Sequence, residues 1–297
     1  MKILVTGSNG CVGAALKSQC INEKNWVLIE RKDCDLINRE QTIELFKAIK
    51  PDYIVHLAAY VPGFYNINRV SSFSDNVRIN ENVLEASNLV NIERGIFSLS
   101  INMFSEDISK FPIDESMIFE GGLTTGPFAG YAYAKRMLAL QCLNYNNQYN
   151  RKYVGIIPCN IYGPNDNIKS GRLIPNLILK FKDAIENNTD VIINGTGKPL
   201  RQFIYSIDLA KIIKYLVNNY YDVKPIICSD DISTEVSIAD LVVKIAKAMN
   251  FNNRIKFDSS KSDGLYKKTV NNSYLKEIIN FPLTSLEIGL KETLEII

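Results

Sequence analysis

Three groups of residues in this chain have the types and the spacing to act on a carbonyl group. A Gly-x-x-Gly-x-x-Gly turn occupies residues 7–13. Tyr131 precedes Lys135 by four residues, so their side chains share one face of a helix. Ser100 lies about thirty residues before that pair, just after a predicted strand. Together they predict a bound dinucleotide and the transfer of a hydride to or from a carbonyl carbon.

Ser100, Tyr131 and Lys135 are the predicted catalytic residues. An ammonium group beside a phenol favours the phenolate, so we expect Lys135 to lower the pKa of Tyr131 from about 10 towards neutrality. Tyr131 would then be an effective general acid near neutral pH. The Ser100 hydroxyl, at the carboxyl edge of a predicted sheet, could hold the same carbonyl oxygen. Tyr133 is excluded as the acid because Met137, not a lysine, stands four residues after it.

The glycine turn follows a strand pattern and precedes a helical one, which is the context of a dinucleotide-binding fingerprint. Its backbone can approach a pyrophosphate closely, and the helix N-terminus offers unpaired N–H groups to it. The predicted cofactor contacts in this turn are Gly7, Asn9, Gly10, Cys11, Val12 and Gly13. Those elsewhere are Asp35, Leu36, Leu57, Ala58, Ala59 and Pro158, with Tyr131 and Lys135.

The choice between NAD and NADP depends on the end of the second predicted strand, where Glu30, Arg31 and Lys32 are consecutive. An acidic group there would accept hydrogen bonds from a free ribose 2′-hydroxyl, whereas basic groups suit a 2′-phosphate. The two cations favour NADPH, with Arg31 and Lys32 as contacts. Glu30 is the contrary observation, and it could equally be a solvated charge at the end of a strand.

The order of elements predicts an α/β fold of the Rossmann type with a doubly wound parallel sheet. Short β-branched runs alternate with amphipathic stretches over the first 160 residues. The predicted strands are 3–6, 26–29, 53–57, 96–99 and 153–158, and the predicted helices are 12–21, 40–49, 76–90 and 131–149. In such a sheet, ligands bind at the carboxyl ends of the strands.

The second half of the chain predicts a smaller α/β lobe interleaved with the first. A loop at 160–167 leads to further elements, with Ser237 to Asp240 resembling a capping box. These elements are helices 174–187, 207–217, 238–249 and 285–296 and strands 191–193 and 225–228. We expect residues 1–160 plus about 199–230 to form the dinucleotide-binding domain, and 161–198 plus about 231–297 the substrate-binding lobe.

Composition excludes several classes of protein. The 297 residues carry a formal net charge of +2, which predicts neither a nucleic-acid nor a membrane partner. The six cysteines form no C-x-x-C pair and His56 is the only histidine, so we expect no metal site. Scattered free thiols fit a reducing cytoplasm. We expect His56 to be hydrogen-bonded at the end of a strand and not catalytic.

These motifs resemble the extended short-chain dehydrogenase/reductases and, within them, the GDP-4-keto-6-deoxy-mannose 3,5-epimerase/4-reductase family. The resemblance covers essentially the whole chain. The resemblance rests on six segments, which are 55–59 (VHLAA), 112–115 (PIDE), 131–137 (YAYAKRM), 160–167 (NIYGPNDN), 195–205 (GTGKPLRQFIY) and 261–264 (KSDG). It implies NADPH as the reductant, a GDP-linked 4-keto sugar as the substrate, and a homodimer built through helices 76–90 and 131–149.

The resemblance also implies which residues contact the nucleotide sugar. The matching positions are Asn160, Lys180, Arg201 and Lys268, and the basic ones suit a diphosphate. Two departures concern the acid/base pair that the family uses to epimerise C3 and C5. Where the family has a cysteine this chain has Asn102, and where it has a histidine this chain has Arg172. Asn194 is a third departure, at a position where relatives often carry tryptophan.

An asparagine amide and a permanently protonated arginine cannot exchange a C–H proton. The sequence therefore predicts a C4 reductase of a GDP-4-keto sugar, of 6-deoxy-hexose or heptose type, without 3,5-epimerase activity. One alternative is a bifunctional epimerase/reductase that recruits Cys159, Tyr162 or a water. Others are a nucleotide-sugar 4-epimerase or 4,6-dehydratase, and a non-catalytic dinucleotide sensor. Asn102 and Arg172 complete the predicted substrate contacts.

Overall fold

The β-branched segments of the first half of the chain form the middle of the molecule. The structure, a computed structural model, describes residues 1–61, 63, 68–123 and 126–296. Its strands are β1 (Ile3–Thr6), β2 (Trp26–Ile29), β3 (Tyr53–His56), β4 (Arg94–Ser98), β5 (Lys152–Pro158), β6 (Asn160–Tyr162), β7 (Val191–Asn194), β8 (Leu200–Arg201), β9 (Phe203–Tyr205), β10 (Ile226–Cys228), β11 (Val236–Ser237) and β12 (Ile255–Asp258).

Helices follow most of these strands, as crossover connections between parallel strands require. They are α1 (Cys11–Gln19), α2 (Arg39–Ile49), α3 (Arg69–Leu89), α4 (Ala129–Tyr149), α5 (Leu173–Asn187), α6 (Ser206–Asn219), α7 (Ile238–Ala248), α8 (Ser273–Ile278) and α9 (Leu286–Ile296). No helix among the described residues is long and apolar enough to cross a membrane.

The central sheet has six strands in the order β2-β1-β3-β4-β5-β10, and all its pairs are parallel. Every residue of β1 and β3 is buried, which explains why these strands read as continuous apolar runs without alternation. The chain order reverses between β1 and β3, so a crevice opens where their carboxyl ends diverge. The predicted Rossmann-type doubly wound sheet is confirmed.

A second group of elements lies beside the sheet and has its own short strand pairs. They are β6 with β9, β7 with β12, and β8 with β11. The described apolar residues form two cores, one around the central sheet and one between α5, α7, α9 and these short strands. Phe203 and Tyr205 belong to the second core, whereas Val270 and Leu275 pack into the first. Segments assigned by the sequence to one domain therefore pack in the core of the other. The predicted domain boundaries stay a prediction.

The largest difference from the expected elements is the start of α3. The expected helix began at residue 76, but α3 begins at Arg69. Its first two turns are polar and carry little apolar periodicity, although Ser72 and Asn76 are buried. The signal that begins the helix is a cap, because the Asn68 side chain accepts the backbone N–H of Ser71 at 3.1 Å. The strands β6, β8, β9 and β11 and the helix α8 were also not predicted, since each has only two to six residues and is too short to show a periodicity. The strand β12 was not predicted either.

Candidate active site

The three catalytic candidates meet at the carboxyl edge of the central sheet. Ser100 follows β4, and Tyr131 and Lys135 occupy the first two turns of α4. Ser100 and Tyr131 form a side-chain hydrogen bond. Lys135 Nζ donates to the carbonyl oxygen of Ser98 at 2.6 Å and lies 5.7 Å from the centre of the Tyr131 ring. The strand end and the helix thus hold one serine, one phenol and one amine in a single group.

The alanines of α4 allow this arrangement. Ala132 and Ala134 are buried and have no bulk beyond Cβ, so the helix can pack closely and admit a long side chain beneath it. Only 2% of Lys135 and 8% of Tyr131 is exposed. The amine of Lys135 therefore depends on a protein partner, whereas Tyr131 is largely buried but still contributes to the wall of the cleft.

Burial changes the expected electrostatics of the pair. It raises the pKa of Tyr131 above its usual value, more than the Ser100 hydrogen bond and the positive charge of Arg172 lower it. It lowers the pKa of Lys135 to about 8. The expectation of a phenol near neutrality is therefore wrong for these surroundings, because desolvation of the phenolate outweighs the nearby charges. Tyr131 stays protonated near neutral pH, which is the form that a proton donor requires.

The glycine turn is shaped for close approach of another backbone. Gly7 has φ of +76°, and a Cβ there would lie 2.7 Å from the backbone nitrogen of Ala58. A Cβ on Gly13 would lie 2.3 Å from the carbonyl oxygen of Gly7. A Cβ on Gly10 would meet only that same oxygen, at 3.4 Å, so it would project into open space above the turn. That space, at the N-terminus of α1, fits a dinucleotide pyrophosphate.

The two predicted cations at the end of β2 have different surroundings. Arg31 lines the cleft, and so does Glu30. Lys32 does not line it, because its Nζ forms an ion pair with the Glu30 carboxylate at 2.9 Å and 75% of its side chain is exposed. A side-chain hydrogen bond to Asn9 also holds Glu30. Of the two cations, Arg31 lines the cleft beside a neutralised carboxylate, and the contact of Lys32 with a 2′-phosphate stays a prediction.

One cleft of about 1070 Å³ joins the glycine turn, the catalytic group and the second lobe. Apart from Lys32, every predicted cofactor and substrate residue contributes to its wall. The cofactor candidates there are Gly7, Asn9, Gly10, Cys11, Val12, Gly13, Arg31, Asp35, Leu36, Leu57, Ala58, Ala59, Tyr131, Lys135 and Pro158. The substrate candidates there are Asn102, Asn160, Arg172, Lys180, Arg201 and Lys268.

Asn102 links the catalytic group to the second lobe. It lies in the 3-10 turn Ile101–Met103, and its backbone N–H donates to Ser100 Oγ at 3.2 Å. Its side-chain oxygen accepts from Lys268 Nζ at 3.3 Å. Burial lowers the pKa of Lys268 to about 8, although Glu106 opposes this shift. Asn102 is thus hydrogen-bonded to Ser100 through its backbone and to Lys268 through its side chain.

Arg172 is held by a buried carboxylate. It is the N-cap residue of α5, and its guanidinium forms an ion pair with Asp166, whose side chain is 1% exposed. The charge of Arg172 acts on both the Cys11 thiol and the Tyr131 phenol. The guanidinium therefore stands as a cation between the dinucleotide turn and the catalytic group.

The other basic residues of the cleft are fixed by backbone carbonyls. Arg201 donates to the carbonyl oxygens of Leu200 and Leu265 at 2.7 and 2.8 Å. Lys180 Nζ donates to the carbonyl oxygen of Ile192 at 2.7 Å. Because carbonyls are neutral, both cations keep their net charge for an anionic ligand such as a diphosphate.

His56 lies behind the cleft and not on its wall. It is buried between Thr6 and Asn80, with Nδ1 at 2.8 Å from Thr6 Oγ1 and Nε2 at 3.2 Å from Asn80 Oδ1. Burial, with the nearby charge of Lys135, lowers its pKa to about 3. The histidine is thus neutral and hydrogen-bonded at the end of β3, as expected. Among the described residues, no cluster of histidine, cysteine, aspartate and glutamate could hold a metal ion.

Some residues of the cleft wall were not identified from the sequence. Glu106 lies in an irregular loop after Asn102, and nothing in the local pattern marks it. Asp263 belongs to the KSDG segment, and its carboxylate accepts the backbone N–H and the hydroxyl of Thr196, both at 2.6 Å. The KSDG segment is one of the motifs on which the family resemblance rests, but the resemblance assigned no role to Asp263.

Comparison with known proteins places this geometry among nucleotide-sugar enzymes. The family model described as "NAD dependent epimerase/dehydratase family" matches residues 3–227. A GDP-L-fucose synthase from Dictyostelium discoideum is 43% identical to this chain over 300 residues, which are 98% of this chain and 93% of that protein.

Two solved structures of similar chains contain NADP. A GDP-L-fucose synthetase from Naegleria fowleri bound to NADP has a TM-score of 0.92 and 36% identity, covering 99% of this chain and 91% of that one. A GDP-mannoheptose C4 reductase from Campylobacter jejuni with NADP bound has a TM-score of 0.86 and 27% identity, covering 99% and 97%. Similarity therefore extends over nearly the whole chain.

Proposed function

The chain belongs to the NAD dependent epimerase/dehydratase family, and we propose that within it the protein is an NADPH-dependent C4 reductase of a GDP-4-keto sugar. The observation that carries the proposal is the cleft itself. One wall holds Ser100, Tyr131 and Lys135 beside a dinucleotide turn, while Asn102 and Arg172 stand in place of an acid/base pair. The sugar is a 6-deoxy-hexose or a heptose.

The roles of the catalytic residues follow from their contacts. NADPH, when bound, supplies a hydride to the ketone carbon. The Ser100 hydroxyl donates to the ketone oxygen, and Tyr131, protonated near neutral pH, gives its proton to the same oxygen as negative charge develops there. Lys135, anchored on the Ser98 carbonyl, places a positive charge behind the phenol and stabilises the phenolate that proton transfer leaves.

NADPH is the proposed cofactor because Arg31 lines the cleft while Lys32 neutralises Glu30. A guanidinium at this place suits a 2′-phosphate, and a paired carboxylate repels it less than a free one would. The similar chains from Naegleria fowleri and Campylobacter jejuni were solved with NADP.

A GDP-linked sugar is proposed because the far half of the cleft carries basic residues on neutral anchors. Lys180 and Arg201 could bind the diphosphate, and Asn160 also contributes to the wall of the cleft. The activities for which the relatives are named, GDP-L-fucose synthase and GDP-mannoheptose C4 reductase, support this substrate class.

The proposed lack of epimerase activity is supported by the surroundings of both substituted positions. The Asn102 amide cannot exchange a proton, and Arg172 is ion-paired with Asp166. The neighbouring groups are poor substitutes, because burial raises the pKa of the Cys159 thiol to about 12. Burial also raises the pKa of Tyr162, which is not part of the cleft wall.

A bifunctional 3,5-epimerase/4-reductase is the second candidate. It is favoured by the 43% identity to a GDP-L-fucose synthase, a higher identity than that to the C4 reductase. Incubation with GDP-4-keto-6-deoxy-mannose in D₂O separates the two candidates. A reductase without epimerase activity consumes NADPH and gives a product with no deuterium at C3 or C5 by NMR. Deuterium at either carbon at the rate of reduction would establish the bifunctional enzyme.

A designed variant provides the positive control. Asn102→Cys combined with Arg172→His restores a thiol and an imidazole at the two positions, so we expect deuterium uptake that the original protein lacks. The control shows that the assay detects exchange in this cleft.

We further infer a homodimer through α3 and α4 and a cytoplasmic site of action, where its free cysteines stay reduced.

A further inference from the structure

The side chain of Asn102 has a fixed orientation in the cleft. Its Oδ1 accepts from Lys268 Nζ at 3.3 Å. An ammonium group can only donate, so the amide oxygen must face Lys268 and the amide nitrogen must lie on the other side. Asn102 is exposed on the cleft wall, and its Nδ2 therefore has two N–H donors to offer to a ligand.

The backbone of Asn102 fixes the place of these donors. Its N–H donates at 3.2 Å to Ser100 Oγ, the group proposed to hold the ketone oxygen. The 3-10 turn Ile101–Met103 leaves no slack between the two residues, because Ile101 and Met103 on either side of Asn102 are buried. If Ser100 holds the ketone oxygen as proposed, the amide lies within reach of the ring atoms on either side of C4.

The ring atoms beside C4 offer only a few polar groups. C3 carries a hydroxyl, whereas C5 carries an alkyl substituent and the ring oxygen, which is a weak acceptor because it belongs to an acetal. An amide N–H donor is therefore matched best by the C3 hydroxyl oxygen. On the basis of the proposed reductase function, we propose that Asn102, oriented by Lys268, selects substrates that keep a hydroxyl at C3 and discriminates against 3-deoxy sugars.

This role accounts for the substitution without proton chemistry. A thiol at this position would exchange the C3 proton. The amide instead binds the C3 hydroxyl, and the configuration at C3 stays unchanged. Lys268 acts as a positioning residue, since it fixes which face of the amide meets the sugar. A site that hydrogen-bonds a substrate hydroxyl rejects an analogue without it, because the analogue covers the amide and removes it from water but offers it no hydrogen-bond partner.

Two substrates and three proteins test the proposal. The substrates are GDP-4-keto-6-deoxy-mannose and its 3-deoxy analogue, and the readout is kcat/KM from NADPH consumption. We expect the original protein to prefer the 3-hydroxy substrate by about tenfold or more. Asn102→Ala brings the ratio of the two kcat/KM values close to one, and Lys268→Met, which frees the amide to rotate, lowers it part of the way.

The possible failures are distinguishable. Equal kcat/KM values for the two substrates with the original protein overturn the selection by Asn102 and leave the reductase standing. The same holds if Asn102→Ala keeps the original ratio. No NADPH consumption with either substrate overturns the proposed reduction of a GDP-4-keto-6-deoxy-hexose and the inference together.

Discussion

The Tyr131 phenol is the group on which the proposed reaction depends most directly. It is buried, hydrogen-bonded to Ser100, and has a raised pKa, so it holds its proton until negative charge develops on the ketone oxygen. At that moment the buried amine of Lys135 is the nearest fixed cation on α4. The two groups have complementary roles. Tyr131 supplies the proton, and the ammonium group of Lys135 stabilises the phenolate that is left.

Removal of the Tyr131 hydroxyl should therefore abolish most turnover. Tyr131→Phe keeps the ring and lowers kcat by about 10²–10⁴-fold, the usual contribution of a general acid. NADPH binding, measured by fluorescence, should persist. Tyr133→Phe is the matched control, because Tyr133 lies on an exposed part of the same helix and is not on the cleft wall. Equal losses in both variants would contradict the assignment.

The two cations after Glu30 should have unequal effects on cofactor choice. Arg31→Ala raises the KM for NADPH by about tenfold or more, as expected for a lost charge-assisted hydrogen bond, and changes the KM for NADH little. Lys32→Ala has a small effect, since Lys32 contacts Glu30 and not the cleft. If Lys32→Ala raised the KM for NADPH as much as Arg31→Ala, the 2′-phosphate site would include both cations.

Lys135 should make stability depend on alkaline pH. Its pKa is about 8 in the folded protein and about 10.4 in an unfolded chain. Between these values the unfolded state binds more protons, so the free energy of unfolding rises as pH increases through this window. Urea unfolding at about pH 7.5 and about pH 10 should show a smaller rise for Lys135→Met than for the original protein. An identical rise would mean that Lys135 is not strained by burial.

At the scale of elements, β1, the glycine turn and α1 act as one unit. β1 is buried on both faces, the turn passes against the strand end of β3, and α1 begins immediately at Cys11. The two outer glycines serve this packing, since a Cβ on Gly7 or Gly13 would collide with backbone atoms. Gly10 serves the ligand instead, because a Cβ there would meet only open space and one oxygen.

Substitutions in the turn should separate folding from binding. Gly13→Ala forces backbone atoms apart and lowers the free energy of unfolding by about 1–3 kcal/mol, as overpacking does. Gly10→Ala leaves the thermal midpoint of the free protein nearly unchanged but weakens NADPH binding, because its methyl group occupies the approach of the pyrophosphate. Calorimetry and a fluorescence titration measure the two effects. A large loss of stability in Gly10→Ala would contradict this division.

At the scale of the whole molecule, two apolar cores carry the two walls of one cleft. The sheet core holds the dinucleotide turn and the catalytic group, and the smaller core holds α5, from which Arg172 and Lys180 reach the same space. The bond between Asn102 and Lys268 joins the catalytic turn to the segment before α8. The proposed reduction therefore draws on residues attached to both cores.

The exposed face of α4 should mediate dimerisation. Met137 and Leu140 form an apolar stripe with Tyr133 on the side away from the catalytic group. Leu140 is 47% exposed, and Leu140→Glu should shift the protein from dimer to monomer in light scattering after size exclusion. Leu179→Glu, the same change at a leucine of α5 that is 39% exposed, should stay dimeric. A dimer that survives Leu140→Glu would place the interface elsewhere.

The sequence by itself determined the central sheet, the order of its elements and the residues that could do chemistry. These features rest on local signals, namely apolar runs of strand length, glycines at fixed spacing, and a tyrosine one helical turn before a lysine. The strands β1 and β2 and the end of β5 lie where the local pattern put them. The basic residues of the second lobe were identified through family resemblance alone.

Only the tertiary structure decided the state and the partners of these residues. Desolvation raises the pKa of Tyr131, and it depends on packing from several elements that are distant in the chain. The pairing of Lys32 with Glu30 is a side-chain contact that the spacing of these residues does not encode. Asn102 meets Lys268 across 166 positions of sequence, so the orientation of its amide follows from the fold and from the fact that an ammonium can only donate.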